Sequence, residues 1–264
     1  MTDKYAVIGN PIAHSKSPEI HAAFAKQTHQ DISYERILAP LDKFAATIAG
    51  FQRLGGQGLS ITVPFKFEAY AIATELSMRA KAAQAVNTLK FDGVRVFGDN
   101  TDGAGLVADI TQNLGCTLAS KQVLLMGAGG AAYGAAFPLQ QAGATLTIAN
   151  RTEAKATKLA NAIGANACSY AALAKQKFDV VINATSSGLS DELAPLPTGV
   201  FASGALAYDM MYGRETPFMK FAGEQGAHVA DGLGMLVEQA AEAFFIWRGV
   251  RPDTAPVIAQ LRSA

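Results

Sequence analysis

The amino-acid sequence predicts an α/β protein with two domains, an N-terminal domain on a mostly parallel sheet and a second, Rossmann-like domain. Three observations support this prediction. The chain has 264 residues, more than one domain usually needs. Apolar runs of strand length alternate with segments of helical spacing. A glycine-rich turn near the middle of the chain joins one strand to a helix, as in dinucleotide-binding units.

The composition excludes several classes of partner. The formal net charge is zero, from 22 basic and 22 acidic residues, and no long charge run is present, so we expect neither nucleic acid nor a membrane as a partner. Cys116 and Cys168 are isolated and the four histidines lack metal-ligand spacing, so we expect no disulfide and no metal. No apolar run is long enough for a signal peptide or a membrane span, which predicts a cytoplasmic protein.

The first part of the chain has a β-α-β-α-β pattern. Strands are predicted at 4–8, 32–38 and 59–63, and helices at 19–26 and 41–54. Ligands of parallel sheets bind beyond the carboxyl ends of the strands. Polar side chains directly after the first and third strands are therefore candidates for ligand binding.

Two candidate groups follow these strands. Ser15 and Ser17 precede a helix with Pro18 in its first turn, where hydroxyl and backbone donors could bind a carboxylate. Helix capping would explain Ser17 alone, and the spacing leaves both interpretations open. Thr62 and Lys66 follow the third strand, although a solvated loop is the simpler interpretation for Lys66 on the residues alone.

The next segment predicts helices at 67–78 and 79–84 and then a hairpin. Strands at 85–89 and 94–98 flank Asp92-Gly93, a strong turn signal. Asp102 follows the second strand and begins a helix that extends to Leu114. It is a candidate site carboxylate, with N-capping of that helix as the alternative.

The segment 123–151 predicts a dinucleotide-binding unit. A strand at 123–126 turns through Gly127-Ala128-Gly129-Gly130 into a helix, and a second strand follows at 145–149. Gly127 permits the tight turn, Gly129 lets the backbone approach a pyrophosphate, and Ala132 is small enough for close helix–strand packing. The N–H groups of the helix N-terminus would face the phosphates.

The end of the second strand favours NADP over NAD. An NAD site usually has Asp or Glu there, whereas this chain has Asn150-Arg151-Thr152 and then Lys155 one helical turn later. A guanidinium suits the oxygens of a 2′-phosphate. The alternative is an exposed helix start with Thr152 as its cap.

The remaining elements complete the second domain and return to the first. The predicted elements are a helix at 153–163, strands at 180–184, 205–211 and 227–229, and helices at 235–247 and 254–261, with a further polar loop at 185–188. We expect the last two helices to pack on the first domain. The predicted division is 1–101 for the substrate-binding domain, 102–235 for the NADP-binding domain and 236–264 for the C-terminal helices.

Seven motifs, in order along nearly the whole chain, resemble those of the shikimate dehydrogenase family. They are Gly9-Asn10-Pro11-Ile12 with His14-Ser15-Lys16-Ser17-Pro18, Thr62-Val63-Pro64-Phe65-Lys66, Ala85-Val86-Asn87-Thr88, Asn100-Thr101-Asp102-Gly103, Gly127-Ala128-Gly129-Gly130-Ala131, Asn150-Arg151-Thr152, and Asp231-Gly232-Leu233-Gly234 with Gln239-Ala240.

The resemblance implies reversible reduction of 3-dehydroshikimate to shikimate with NADPH, in chorismate and aromatic amino-acid biosynthesis, by a monomer or homodimer. It implies that Lys66 and Asp102 are the catalytic pair. The implied substrate-binding residues are Ser15, Ser17, Thr62, Asn87, Tyr212 and Gln239. The implied cofactor-binding residues are Gly127, Ala128, Gly129, Gly130, Ala131, Asn150, Arg151, Thr152, Lys155, Met210 and Gly232.

The chain departs from the family pattern at three places. Ala22 stands where Asn is frequent, Ser60-Ile61-Thr62 replaces Asn-Val-Thr, and Lys155 replaces Arg. A lysine meets a phosphate as a point charge, without bidentate geometry, which bears on the degree of NADP preference.

Two alternative functions remain compatible with the fold. One is a quinate/shikimate dehydrogenase of broader specificity, but such relatives tend to use NAD, which Asn150-Arg151 disfavours. The other is a non-catalytic NADP-binding regulator. A regulator would have no physical need to keep both Lys66 and Asp102.

Overall fold

The computed structural model describes residues 2–185 and 193–263, which form two compact units. The first unit comprises Met1–Gly105 and Val237–Ala264, and the second comprises Leu106–Leu236. The division predicted from the sequence lies within a few residues of these limits. Which ligand each domain binds stays a prediction.

Strands and helices alternate in both units. The strands are β1 (Asp3–Gly9), β2 (Ile32–Leu38), β3 (Gly56–Ile61), β4 (Glu75–Leu76), β5 (Thr88–Asp92), β6 (Arg95–Asp99), β7 (Gln122–Met126), β8 (Thr145–Ala149), β9 (Asn166–Cys168), β10 (Phe178–Asn183), β11 (Phe201–Asp209) and β12 (His228–Ala230). The helices are α1 (Ser17–Thr28), α2 (Phe44–Arg53), α3 (Lys66–Ile72), α4 (Met78–Ala83), α5 (Asp102–Ala108), α6 (Gly130–Gln141), α7 (Glu153–Ile163), α8 (Pro217–Glu224), α9 (Leu233–Arg248) and α10 (Ala255–Arg262).

The first unit has a mixed sheet in the order β2-β1-β3-β5-β6-β4. Its strand pairs are parallel except those of β5, which runs antiparallel to β3 and β6. The predicted hairpin is present, with Gly93 in the left-handed region at φ 59°. The turn reverses the chain, so the start of β5 and the end of β6 lie at the same edge as the carboxyl ends of β1 and β3.

The second unit has an entirely parallel sheet in the order β12-β11-β10-β7-β8-β9. This arrangement confirms the predicted Rossmann-like architecture. The side chains of Val123, Leu125, Ile148 and Ile182 lie fully or almost fully buried under the helices of one face. Strands buried in this way read as nearly continuous apolar runs, which is why the sequence locates them well.

The C-terminal helices pack on the first unit, as predicted. Trp247 on α9 stacks on Tyr5 of β1 with 4.7 Å between the ring centroids. Its indole Nε1 donates a hydrogen bond to the Leu89 carbonyl at 2.9 Å. A Cβ on Gly58 would lie 2.5 Å from that nitrogen, so only glycine admits the indole here.

Several predicted elements differ from the observed ones. The predicted helix at 67–78 is wrong beyond Ile72, because the chain becomes extended and Thr74 donates its N–H to the Val96 carbonyl at 2.9 Å before β4 pairs with β6. The predicted strand at 85–89 is shifted, since β5 begins at Thr88. The helix from Asp102 ends in a π-helical turn, Asp109–Asn113. Strand β9 was missed, and most of the polar loop predicted at 185–188 lies outside the described residues.

Over the described ranges 2–185 and 193–263, no helix is both long and apolar enough to cross a membrane. The same ranges contain no cluster of three or more His, Cys, Asp or Glu side chains suited to a metal ion.

Candidate active site

One edge of the first sheet gathers the polar segments that the sequence singled out. Strands β1 and β3 are parallel neighbours, and their carboxyl ends lead into the loops that carry Ser15 and Thr62. Ser60 pairs with Thr88 at the start of the antiparallel β5, so Asn87 lies at the same edge. The sheet order thus brings together residues that are far apart in the chain.

Lys66 and Asp102 form an ion pair at this edge. Lys66 is the first residue of α3 and Asp102 is the first of α5. The Lys66 Nζ donates to Asp102 Oδ2 at 2.6 Å, and the two side chains are 23% and 10% exposed. The interpretation of Lys66 as a solvated loop lysine is therefore wrong. The Asp102 carboxylate is held by side chains of the site.

Asn87 holds the other oxygen of the Asp102 carboxylate. Its Nδ2 donates to Asp102 Oδ1 at 2.7 Å. Its Oδ1 accepts the backbone N–H of Thr101 at 2.8 Å and the hydroxyl of Thr88 at 2.9 Å. Because a backbone N–H can only donate, the orientation of the amide is fixed, with the NH₂ group facing the carboxylate. Asn87 is 3% exposed.

Gln239 on α9 extends this polar cluster. Its Oε1 accepts from Asn87 Nδ2 at 3.4 Å and from the Thr101 hydroxyl at 3.5 Å. A Cβ on Gly105 would lie 2.5 Å from the Gln239 backbone nitrogen. The absence of a side chain at Gly105 therefore lets α9 approach α5 closely enough for these contacts.

Ser15 and Ser17 also lie side by side, but Ser17 is not the N-cap. Helix α1 begins at Ser17, and Lys16 in the cap position makes no side-chain cap bond. Ser15 Oγ donates to Ser17 Oγ at 3.1 Å and accepts the Ser17 N–H at 3.3 Å. The capping interpretation of Ser17 is wrong, because α1 begins at Ser17 itself and the N-cap position falls on Lys16. Arg36 on β2 holds Ser15, donating to its carbonyl at 2.5 and 2.9 Å.

The loops after β1 and β3 pack directly on each other. A Cβ on Gly9 would lie 2.5 Å from Thr62 Cγ2, and the Thr62 N–H donates to the Ile8 carbonyl at 3.0 Å. Ser60, one of the departures from the family pattern, accepts the Tyr34 hydroxyl at 2.8 Å. Burial raises the pKa of the Tyr34 phenol, against the opposing effect of hydrogen bonds with Ser60 and Ser17.

Tyr212, the remaining residue predicted to bind substrate, belongs to the second unit and follows β11. Burial raises the pKa of its phenol. Its role in substrate binding stays a prediction.

The glycine turn of the second unit fits a dinucleotide pyrophosphate. Gly127 follows β7 with φ 108°, a conformation suited to glycine, and a Cβ there would lie 3.0 Å from the Ala184 carbonyl oxygen. A Cβ on Gly129 or Gly130 would meet nothing within 4 Å, so the backbone at the start of α6 is open. Ala132 is fully buried, as its predicted packing role requires. Ala128 and Ala131 are partly exposed beside them.

The strand end after β8 presents donors and positive charge. Asn150 Nδ2 donates to the Thr152 carbonyl at 2.9 Å and orders the turn, while Arg151 and Lys155 are exposed. Thr152 is the N-cap residue of α7, as the alternative interpretation expects, although its side chain makes no cap bond. These features fit a 2′-phosphate. Gly232 and Met210 adjoin each other, and a Cβ on Gly232 would lie 2.3 Å from the Met210 carbonyl oxygen.

Three family models match the chain in order. They are the shikimate dehydrogenase substrate binding domain at residues 7–89, shikimate / quinate 5-dehydrogenase at 108–190, and the shikimate 5'-dehydrogenase C-terminal domain at 232–262. A curated relative from Methylobacillus flagellatus, shikimate dehydrogenase (NADP(+)), is 62% identical over 99% of this chain and 100% of its own length. This chain belongs to the shikimate dehydrogenase family.

Solved structures of similar proteins agree with this membership. Shikimate 5-dehydrogenase from Thermus thermophilus, in complex with NADP(H) and shikimate, is 34% identical, with a TM-score of 0.90 over 99% of each chain. An Ael1 enzyme from Pseudomonas putida is 50% identical, with a TM-score of 0.94 over 98% of each chain. The similarity to this fold therefore extends over nearly the whole chain.

The sequence analysis missed four residues that hold this candidate site together. Thr88 and Thr101 both donate hydrogen bonds to Asn87. Tyr34 donates to Ser60, and Arg36 donates to the Ser15 carbonyl. The two threonines lie inside recognised motifs, so their position was a usable signal. Tyr34 and Arg36 lie on β2, where alternation predicts only which face each side chain occupies.

Proposed function

We propose that this chain catalyses the reversible, NADPH-dependent reduction of 3-dehydroshikimate to shikimate. The curated relatives carry the corresponding name, shikimate dehydrogenase (NADP(+)). The observation that carries the proposal is the 2.6 Å contact between Lys66 Nζ and Asp102 Oδ2 beside a ring of uncharged hydrogen-bonding groups. Reduction of a ketone requires a proton donor at the carbonyl oxygen, and an oriented ammonium can supply it.

Lys66 acts as the acid in this proposal. Its ammonium donates a hydrogen bond to the ketone oxygen, stabilises the negative charge that develops there, and transfers a proton to form the alcohol. In the reverse direction the neutral amine accepts the same proton. The ammonium regains its proton from solvent, which reaches the 23% exposed side chain.

Asp102 orients Lys66 and is itself oriented by Asn87. With one carboxylate oxygen bonded to the ammonium and the other to the Asn87 amide, Asp102 has little freedom to rotate. This restraint keeps Nζ in one position, and the orientation of a catalytic group accounts for much of its effect. Asn87 and Gln239 are also proposed to bind the ring hydroxyls, with Thr62 and Tyr212.

The substrate carboxylate is proposed to bind Ser15 and Ser17. The two hydroxyls are 3.1 Å apart at the start of α1, close enough to donate to one carboxylate. The N-terminal dipole of α1 favours a negative charge there. A neutral donor pair suits this task because its hydroxyls can reorient when the ligand leaves.

NADPH supplies the hydride when bound. The backbone from Gly127 to Ala131 is proposed to hold its pyrophosphate, and Met210 and Gly232 to adjoin the nicotinamide. Asn150, Arg151, Thr152 and Lys155 are proposed to bind the 2′-phosphate, supported by the exposure of both cations and by the absence of a carboxylate at the end of β8.

The proposal extends to the setting of the reaction. We expect a cytoplasmic monomer or homodimer that acts on small molecules in aromatic amino-acid biosynthesis. Gel filtration with light scattering would distinguish the two oligomeric states.

The first test is the reduction of NADP and of NAD, followed by absorbance, with shikimate and then quinate as the alcohol. We expect rapid turnover with shikimate and NADP, and little or none with quinate or with NAD. Comparable turnover with quinate or NAD would instead identify a broader shikimate/quinate enzyme, the alternative suggested by the family model at residues 108–190. No turnover with either alcohol would refute the proposal.

The second test changes Lys66 itself. We expect Lys66→Ala to lower kcat by about 10²–10⁴-fold, as for loss of a general acid, with little change in the KM for shikimate. Lys43→Ala, which removes an exposed lysine of the same unit, is the matched control and should retain full activity. Near wild-type turnover of Lys66→Ala would contradict the assignment.

A further inference from the structure

Asp99 is a buried carboxylate outside the proposed catalytic pair, directly before the segment that carries Asp102. Its side chain is 4% exposed. Oδ1 accepts the Ser77 hydroxyl at 2.5 Å and the Asn100 N–H at 2.7 Å, and Oδ2 accepts from Arg79 at 2.6 Å. A carboxylate buried to this degree is stable only when it is paired with an opposite charge and hydrogen-bonded. Arg79 supplies that charge to Asp99.

Arg79 joins two segments that are remote in the sequence. From α4 it donates through Nε and Nη2 to Asp99, and the same Nη2 donates to Glu242 Oε1 on α9 at 2.9 Å. Glu242 also pairs with Arg251. Burial opposes the charge of Arg79, but the hydrogen bonds and charges of Asp99 and Glu242 outweigh it and raise the pKa of the guanidinium.

Both ends of this bridge lead into the candidate active site. Asp99 accepts the Asn100 N–H, and Asn100 Oδ1 accepts the Asp102 N–H at 3.2 Å. Glu242 lies three residues after Gln239, on the same face of α9. Arg79 therefore links the backbone that presents Asp102 to the helix that presents Gln239.

We propose that Arg79 is a positioning residue for the reaction, which fixes the Asp102 segment and the Gln239 helix relative to each other. The inference rests on the proposed function, because it gives Asp102 and Gln239 their roles. A lysine at position 79 would keep the charge but lose the planar fork, so it could not hold Asp99 and Glu242 in the same geometry.

The test is a double-mutant cycle between Arg79→Lys and Gln239→Ala, with kcat/KM for shikimate as the readout. We expect Arg79→Lys to lower kcat/KM by about tenfold, within the range for coupled neighbours. The KM for NADP should stay within about twofold, since only the shikimate side of the site is disturbed. In the Gln239→Ala background the further loss from Arg79→Lys should be clearly smaller, because the contact that Arg79 positions is already absent. Arg95→Lys, in an exposed ion pair of the same unit, is the control and should change nothing.

The possible outcomes separate the inference from the proposed function. Suppose that the wild type turns over shikimate. The positioning role is then overturned if Arg79→Lys has full activity. It is also overturned if the loss in kcat/KM from Arg79→Lys is the same with and without Gln239→Ala. A lower melting temperature with kcat and both KM values unchanged would make Arg79 a purely structural residue and would also overturn the proposal. If the wild type neither turns over shikimate nor binds it in calorimetry, the proposed function fails and the inference fails with it.

Discussion

Acidification should destabilise the first unit through His21, which is fully buried in a cluster of aromatic rings. The imidazole stacks on Tyr34 at 4.2 Å between centroids and 10° between planes, and it also contacts Phe24, Phe244 and Trp247. Neither ring nitrogen has a hydrogen-bond partner among the described residues. Burial lowers the pKa of His21 from 6.5 to about 3, because the imidazolium would lose its hydration.

The sign and size of the effect follow from the two pKa values. The folded state binds fewer protons than the unfolded state between the folded pKa of about 3 and the unfolded value of 6.5. The contribution of neutral His21 to stability is therefore fully present above the unfolded pKa and is lost as the pH falls through this window. Between about pH 7 and about pH 4.5, the free energy of unfolding should fall by about 2.5 kcal/mol from this residue.

The assay compares the wild type with His21→Phe by urea unfolding at both pH values. Phenylalanine keeps the aromatic packing but cannot take up a proton. Trp247 is the single tryptophan of the chain and lies in the cluster, so its fluorescence reports the unfolding of this unit. At neutral pH the variant should be at least as stable as the wild type, because two unpaired buried nitrogens are removed. At acid pH the free energy of unfolding of the variant should exceed that of the wild type by about 2.5 kcal/mol more than at neutral pH.

A single outcome would refute this reasoning. If the stability difference between wild type and His21→Phe changes by less than about 0.5 kcal/mol between the two pH values, His21 does not take up a proton on unfolding. His228→Gln changes an exposed histidine and is the control. This variant should unfold at the same urea concentration as the wild type at neutral pH.

Three further predictions concern close contacts and cofactor choice. Gly105→Ala should raise the KM for shikimate, because the new Cβ would displace the backbone of Gln239, 2.5 Å away; an unchanged KM in steady-state kinetics would contradict this. Tyr208→Phe should lower the free energy of unfolding by about 1–3 kcal/mol, since buried Asp109 loses its 2.6 Å partner, and calorimetry showing no loss would refute it. Arg151→Ala should raise the KM for NADP and leave that for NAD nearly unchanged, and equal changes for both cofactors would argue against a 2′-phosphate contact.

The second unit was largely predictable because its signals are local. The turn at Gly127 needs a positive φ, the start of α6 needs an open backbone, and both requirements select residue types at fixed spacing. The strands on either side are buried on both faces and appear as apolar runs. The choice of Arg151 instead of an acid at the strand end is also visible in the sequence.

The errors fall where a few residues depend on distant partners. Strand β4 has two residues and β9 has three, too few for a periodic pattern. Each exists because a neighbouring strand supplies its hydrogen bonds, as β6 does for Glu75 and Leu76. In the same way, Ser17 had the right type and place for a cap, but α1 begins at Ser17 itself, one residue earlier than a Ser17 cap would place it, and Ser15 accepts the Ser17 N–H.

The sequence by itself determined the order of the elements, the class of fold and the residue types available for chemistry. Only the tertiary structure decided which of these residues contact each other. Lys66 and Asp102 are 36 residues apart, and Arg79 and Glu242 are 163 apart. These pairs form because the sheet order places β3, β5 and β6 side by side and because α9 returns to the first unit. Contacts between residues so far apart in sequence produce no periodic pattern in the chain. The partners of these charged residues therefore become known only from the folded structure.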